Sequence, residues 1–229
     1  MLNVAFARAC AVTLVTTLSV PADAADAVLN SHQAIYRMTL APGSRTLDVV
    51  GAEGVMIYRA ARACSGWTVE NHTVIRYDQA DGETFEDRWA FASWESDDGL
   101  NYRFRLMHRT GDRTDRIEGV AHLDEAAGGG IATYSEPGAF EVELPEGTVF
   151  PTAHLRSLIK AATEGQAILN RVVFDGTTVD NPYLVNIAIA PLAERDRPPA
   201  ETLGAPAASS FWTRGAYFPY FDESEMPDF

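Results

Sequence analysis

From residue 32 to 147, apolar and polar side chains alternate again and again. Tyr36, Met38 and Leu40 alternate with Arg37 and Thr39. Phe85, Trp89 and Phe91 share one parity, with Glu86 and Arg88 on the other. Tyr102, Phe104 and Leu106 are interleaved with Arg103 and Arg105, and Phe140, Val142 and Leu144 with Glu141 and Glu143. In a strand successive side chains point to opposite faces, so each segment predicts a strand with one buried and one wet face. Turn residues separate the segments: Pro42-Gly43, Asp81-Gly82, Asp98-Gly99, Gly111-Asp112, Gly128 to Gly130, Pro137-Gly138 and Glu146-Gly147. Strands punctuated in this way predict antiparallel hairpins joined as a meander.

One stretch changes period. Pro151-Thr152-Ala153-His154 opens a run in which Leu155, Leu158, Ile159 and Ala162 recur at helical spacing, and Gly165 closes it. Pro is favoured in a first helical turn and Gly just past the last, so the spacing predicts a helix over 152–164. Its Leu155/Leu158/Ile159 stripe is expected to pack on the sheet. Strands are predicted to resume at 167–174 and 183–190, linked through Asp175-Gly176 and Asn181-Pro182. Residues 191–209 are Pro/Ala-rich and aperiodic, which predicts a flexible loop. Phe211 to Phe221 is aromatic and predicts a further strand. The fold class expected is mainly β: a curved antiparallel sheet forming an open barrel, capped or plugged by one substantial helix.

The N-terminus adds an address. Arg8 precedes an apolar run, Ala9 to Val20, of about 12 residues, well short of the ~20 a membrane-spanning helix needs. Pro21 and then Ala22-Asp23-Ala24 follow, the small-x-small pattern of a cleaved secretory signal. Residues 1–24 are therefore expected to be removed, with Ala25-Asp26-Ala27 as a second register. Residues 25–229 then form a single exported domain that does not span a membrane. Export removes Cys10 and leaves Cys64 alone in an oxidising compartment. A lone thiol there suggests an intermolecular bridge, a reactive group, a missing partner or a buried cysteine acting as a small apolar side chain.

Composition narrows the function classes. The chain is 46% hydrophobic and 22% charged, the balance of a folded protein. Its net charge of −14 excludes a general role in nucleic-acid binding, where phosphates must be neutralised. Candidate chemistry is sparse. His32 and His154, if brought together with acidic partners, would make a metal or acid–base site. His154 is equally placed to bond helix-terminal backbone, and His32 to cap a strand. No HxH or HExxH spacing, G-x-S-x-G elbow or phosphate-binding loop is present. No metal, cofactor or catalytic residue is therefore expected. His72, His108 and His122 read as surface residues. Trp67, Trp89, Trp94, Tyr102, Phe104 and Trp212 are expected to face a barrel interior or its rim. There they serve as core or, for a few, as the lining of an apolar groove.

An ordered set of motifs is specific enough for a resemblance. It begins with His32-x3-Tyr36-x3-Leu40, Gly54-x3-Tyr58, Cys64-x-Gly66-Trp67, and Ser93-Trp94 followed by Asp98-Gly99-x2-Tyr102-x-Phe104. Ile117-x-Gly119-x-Ala121 and Leu144-Pro145-x-Gly147-Thr148-x-Phe150-Pro151-Thr152-x-His154 come next. Phe174-Asp175-Gly176, Trp212-x4-Tyr217-Phe218 and Met226-Pro227-Asp228 complete it. Together they resemble the EipB family of cell envelope integrity proteins (the DUF1849 group). The resemblance implies a β-spiral in the periplasm, a role in envelope integrity without enzymatic activity, and a shape similar to lipid- and glycolipid-binding folds. It admits as partners a lipid or glycolipid envelope component or a periplasmic protein; the alternative activity is a hydrolase acting on an envelope polymer. It further implies that the cysteine at the Cys64 position pairs with one at the family's extreme C-terminus. That cysteine is absent here, so the chain is expected to lack the family's last strands and to dimerise through Cys64.

Overall fold

The computed structural model describes residues 29–41, 48–125, 128–196, 210–221 and 227. The signal segment, the Pro42-Gly43 turn, residues 197–209 of the Pro/Ala-rich loop, and Met226 and Asp228 lie outside the described residues.

The alternating segments form eight consecutive strands: β1 (His32–Thr39), β2 (Val49–Ala63), β3 (Gly66–Gln79), β4 (Thr84–Ser96), β5 (Asn101–Thr110), β6 (Arg113–Leu123), β7 (Gly130–Glu136) and β8 (Phe140–Leu144). They pair in chain order as one antiparallel meander that does not close on itself. The register lines up the predicted inner faces across strands. One row runs Arg62, Trp67, Glu95, Tyr102, Ala121, Ala132 and Val142. The next runs Ala60, Val69, Ser93, Phe104, Gly119, Tyr134 and Phe140. A bulge between Glu118 and Gly119 resets the β6–β7 register and bends that end of the sheet.

The remaining strands form a second sheet rather than a continuation of the first: β9 (Thr148–Val149), β10 (Ile168–Val173), β11 (Tyr183–Pro191) and β12 (Phe211–Pro219), in the order β12-β11-β10-β9. Here β9 and β10 are parallel, a departure from the purely antiparallel expectation. Parallel neighbours need a crossover of a dozen or more residues, commonly a helix. Helix α1 (Pro151–Thr163) is that crossover.

Helix α1 packs on β10 and β11 of this second sheet. The predicted stripe is rotated from the observed one: Leu155 is exposed, while Ala161 and Ala162 are buried and Leu158 packs against the same cluster. The buried line follows His154, Leu158, Ala161 and Ala162, which also satisfies i, i+4, i+7, i+8 spacing. Leu155 lies off its edge. Small residues at 161 and 162 let the helix sit close to Val185 and Ile187, and size rather than hydrophobicity decides which face turns inward.

The barrel is plugged by a loop, not by the helix. Phe174, just after β10, and Phe150, just before α1, are fully buried among Tyr102, Phe104, Ala132 and Tyr134. Burying one such ring contributes about 1.5–3 kcal/mol.

Candidate functional site

The inner-face aromatics make a contiguous packed cluster. Tyr102 stacks on Phe150 at 4.9 Å between centroids, and Tyr134 on Phe140 at 4.4 Å. Phe104 meets Phe174 and Tyr134 edge-on at 5.5 and 5.3 Å. Two glycines clamp Phe104. A Cβ at Gly119 would lie 2.6 Å from its ring, and one at Gly176 2.4 Å from it. Gly176 also has φ +69°, a conformation that L side chains rarely adopt. The Phe174-Asp175-Gly176 motif is thus explained as a plug whose glycine must have no side chain.

Hydroxyl groups fasten the plug. Tyr102 Oη donates to the Asp175 carbonyl at 2.9 Å, and Tyr134 Oη to the Thr178 carbonyl at 3.1 Å. Burial pushes both phenols up from their ordinary pKa, so both remain neutral donors. Asn181, almost fully buried, accepts from Asp175 N at 3.0 Å and donates to the Thr178 carbonyl at 3.3 Å.

Glu95 is the charged residue at the centre of this junction. It is 2% exposed. Its carboxylate accepts the backbone N–H of Thr152 at 2.6 Å and of Ala153 at 2.8 Å. Those are orphan donors in the first turn of α1, where the N-cap residue, Phe150, has no side chain able to serve. Glu95 therefore caps the helix from another sheet. Burial raises its pKa, while the two backbone donors and Arg156 pull it partway back. The close approach of strands here explains Gly66 as well, since a Cβ there would fall 2.1 Å from the Glu95 carbonyl.

The sequence-predicted residues separate into two groups. Trp67, Tyr102 and Phe104 are buried in the interior. Trp94 and Trp212 are not: Trp94 stands on the outer face of β4 beneath Arg103, whose guanidinium lies 5.6 Å from its ring, and Trp212 is 47% exposed. Trp94 has the parity opposite to Glu95 and Ser93, and Trp212 the parity opposite to Phe211 and Tyr217, which pack against the core of the second sheet. Trp89 is half-buried on the inner face beside His108, with ring centroids 5.5 Å apart.

His154 lies on the buried side of α1. Its Nδ1 has no hydrogen-bond partner among the described residues, so it does not bond terminal backbone as expected. Burial, with Arg171 nearby, lowers its pKa. His32 is exposed, with Nδ1 2.9 Å from the Asn30 carbonyl, and its ring packs on Tyr58. Tyr36, like His32, sits on β1 and is 48% exposed. Pro151 occupies the first turn of α1. His108 is a departure from the surface expectation, since its Nε2 lies 2.7 Å from Asp87 Oδ1 on the inner face. Cys64 is exposed in the β2–β3 turn, which rules out the buried-cysteine alternative. Among the described residues no group of three or more His, Cys, Asp or Glu side chains is placed to hold a metal, and no helix is long and apolar enough to cross a membrane.

Glu95, Tyr134 and Asn181 were missed by sequence reasoning. Glu95 carried a readable signal: it shares the parity of Trp89, Phe91 and Ser93, a charged residue at an inward-facing position.

Clefts open on the outer faces of the first sheet. One of about 400 Å³ is lined by His72, Ala90, Met107, Arg105 and Arg116 among others. A second, of about 340 Å³, includes Trp94, Arg103 and Val120.

An open, mainly antiparallel β-barrel plugged by a loop, with a helix-bearing second sheet, defines the structural class. The chain belongs to the EipB-like family, whose sequence profile matches residues 23–229. It is 28% identical over 214 residues to the cell envelope integrity protein EipB of Brucella abortus (strain 2308), covering 90% of this chain and 74% of that protein. The fold is also that of a crystal structure of a β-barrel-like protein of DUF1849 from Brucella abortus. The TM-score is 0.71 at 23% identity, over 86% of this chain and 82% of the other.

Proposed function

We propose that this protein is exported to the periplasm and maintains cell envelope integrity without catalysing a reaction, by binding a lipid-like envelope component. The observation that carries this reading is the family match across residues 23–229, in which the Brucella relative is named a cell envelope integrity protein. Two structural features support the finer parts. The interior around Tyr102, Phe104 and Tyr134 is packed with aromatic rings. The clefts that do open have apolar floors and lie on outer faces, as an amphipathic ligand requires.

Deleting the gene in the source bacterium is expected to sensitise cells to detergent, and the full-length exported chain to restore resistance. A His154→Ala variant present at normal levels is expected to complement equally well. Unaltered detergent resistance in the deletion strain would overturn the envelope role; failure of well-folded His154→Ala protein would overturn its non-catalytic character.

A further inference from the structure

The net charge of this chain is −14, yet its arginines gather on the outer face of β4–β6. The register places three outward rows side by side there: His72, Ala90, Met107 and Arg116; Glu70, Ala92, Arg105 and Glu118; Thr68, Trp94, Arg103 and Val120. The two clefts described above meet along the middle row, sharing Glu70, Ala92, Arg105 and Glu118. They form one trough running along the strands. From Met107 to Arg103 it spans four residues, or about 13 Å at ~3.3 Å per residue.

The floor of the trough is apolar and open where Met107, 46% exposed, lies beside Ala90 and Ala92 of β4, with Trp94 and Val120, 51% exposed, at one end. Its walls are cationic. Among the described residues Arg103, Arg105 and Arg116 have no carboxylate within ion-pair distance, in contrast to Arg59, Arg62, Arg76, Arg88 and Arg113, which all do. Glu118 faces Arg105 across the β5–β6 pair without forming an ion pair, and Glu70 is engaged by Arg59 at 3.8 Å. Arg105 and Arg116 are diagonal neighbours on one face, a separation that long side chains bridge.

We infer that this trough holds a single anionic lipid, its phosphate between Arg105 and Arg116 and its acyl chain along Ala90, Ala92 and Met107. The inference rests on the envelope reading above and gives it a site. Charge complementarity selects the occupant. A free phosphate would use the guanidinium groups and leave the apolar floor wet, whereas a neutral lipid would cover the floor and leave three arginines unmatched. Arginine suits the headgroup because its planar fork donates two parallel hydrogen bonds to phosphate oxygens.

The test uses the purified exported chain and dihexanoyl phosphatidylglycerol below its micelle concentration, followed by isothermal titration. Saturable binding is expected, about tenfold weaker for the zwitterionic phosphatidylcholine analogue, a difference of about 1.4 kcal/mol. The Arg105→Gln/Arg116→Gln variant is expected to lose at least tenfold for the anionic lipid and to bind both lipids alike. Inorganic phosphate alone is expected to compete weakly, at least tenfold less well than the lipid. Equal affinity for the two lipids, no saturable binding, or an unchanged double variant would overturn the inference. Wild-type detergent resistance of the deletion strain would instead overturn the envelope reading on which it rests. Both side chains are exposed on a strand surface, so the double variant is expected to keep the parent's melting temperature.

Discussion

Removing the Glu95 carboxylate should loosen the join between the two sheets. In Glu95→Ala the backbone N–H groups of Thr152 and Ala153 lose their acceptor at 2.6 and 2.8 Å. A buried donor left unpaired costs about 1–3 kcal/mol, and a lost N-cap about 0.5–2 kcal/mol, which describes part of the same loss. Against this stands relief from burying a carboxylate that is only 2% exposed, a burial unfavourable enough to raise its pKa. The balance is a destabilisation of about 2–4 kcal/mol, a large share of the ~5–15 kcal/mol by which most domains are stable. Urea unfolding followed by tryptophan fluorescence measures it directly. A Glu95→Ala protein within about 0.5 kcal/mol of the parent, the range of an ordinary surface change, would refute the cap. Glu95→Gln keeps the shape but presents an NH2 to one of the two donors, so it is expected to fall between parent and Glu95→Ala. The linkage has a definite sign. The folded state binds the Glu95 proton more tightly than the unfolded chain, whose value is about 4.3. This group's contribution is therefore largest below that value and declines as pH rises through its elevated folded value. Glu95→Gln should remove that slope.

Gly176→Ala combines a left-handed backbone position with a Cβ placed 2.4 Å from the Phe104 ring, and is expected to lose about 2–4 kcal/mol by the same urea assay. His154 is held neutral by burial, so its contribution is full above the unfolded value of about 6.5 and is lost as pH falls from there through its lowered folded value. His154→Leu should flatten that acid sensitivity and, because Nδ1 is already unpartnered, change stability at pH 8 by less than about 1 kcal/mol. Exposed Cys64 is expected to react with a maleimide in the native protein and to give a reducible dimer on a non-reducing gel, which Cys64→Ser abolishes.

How much of this was legible in the sequence depends on what each residue contacts. Period-two alternation is a local consequence of the pleat, so β1, β4, β5 and β8 could be read directly, and Pro151 with Gly165 bracketed the helix. Helix orientation was not legible, because Leu155 and Ala161 compete for the buried face. The partner sheet favours the smaller residue through fit, which hydrophobicity does not report. The two-sheet division was also hidden, since β9 has only two residues and gains its place through a parallel partner brought round by α1. In the candidate site, Tyr102, Phe104 and Trp67 follow from parity alone. Trp94 and Trp212 follow from it too, once they are phased against Glu95 and against Phe211 and Tyr217; grouping aromatics by type obscured that they face outward. Glu95 stood out at a core parity position, but its partners are 57 and 58 residues away. The outer trough needs the register of four strands before its arginines assemble.

An amide chemical-shift map of the protein titrated with dihexanoyl phosphatidylglycerol separates a packed aromatic interior from an outer binding face. Binding in the outer trough is expected to give saturable shifts confined to the outer rows of β3–β6, at Ala90, Ala92, Arg103, Arg105, Met107 and Arg116, with Tyr102, Tyr134, Phe150 and Phe174 unmoved. Shifts centred on those four interior residues, or none along the trough, would contradict it.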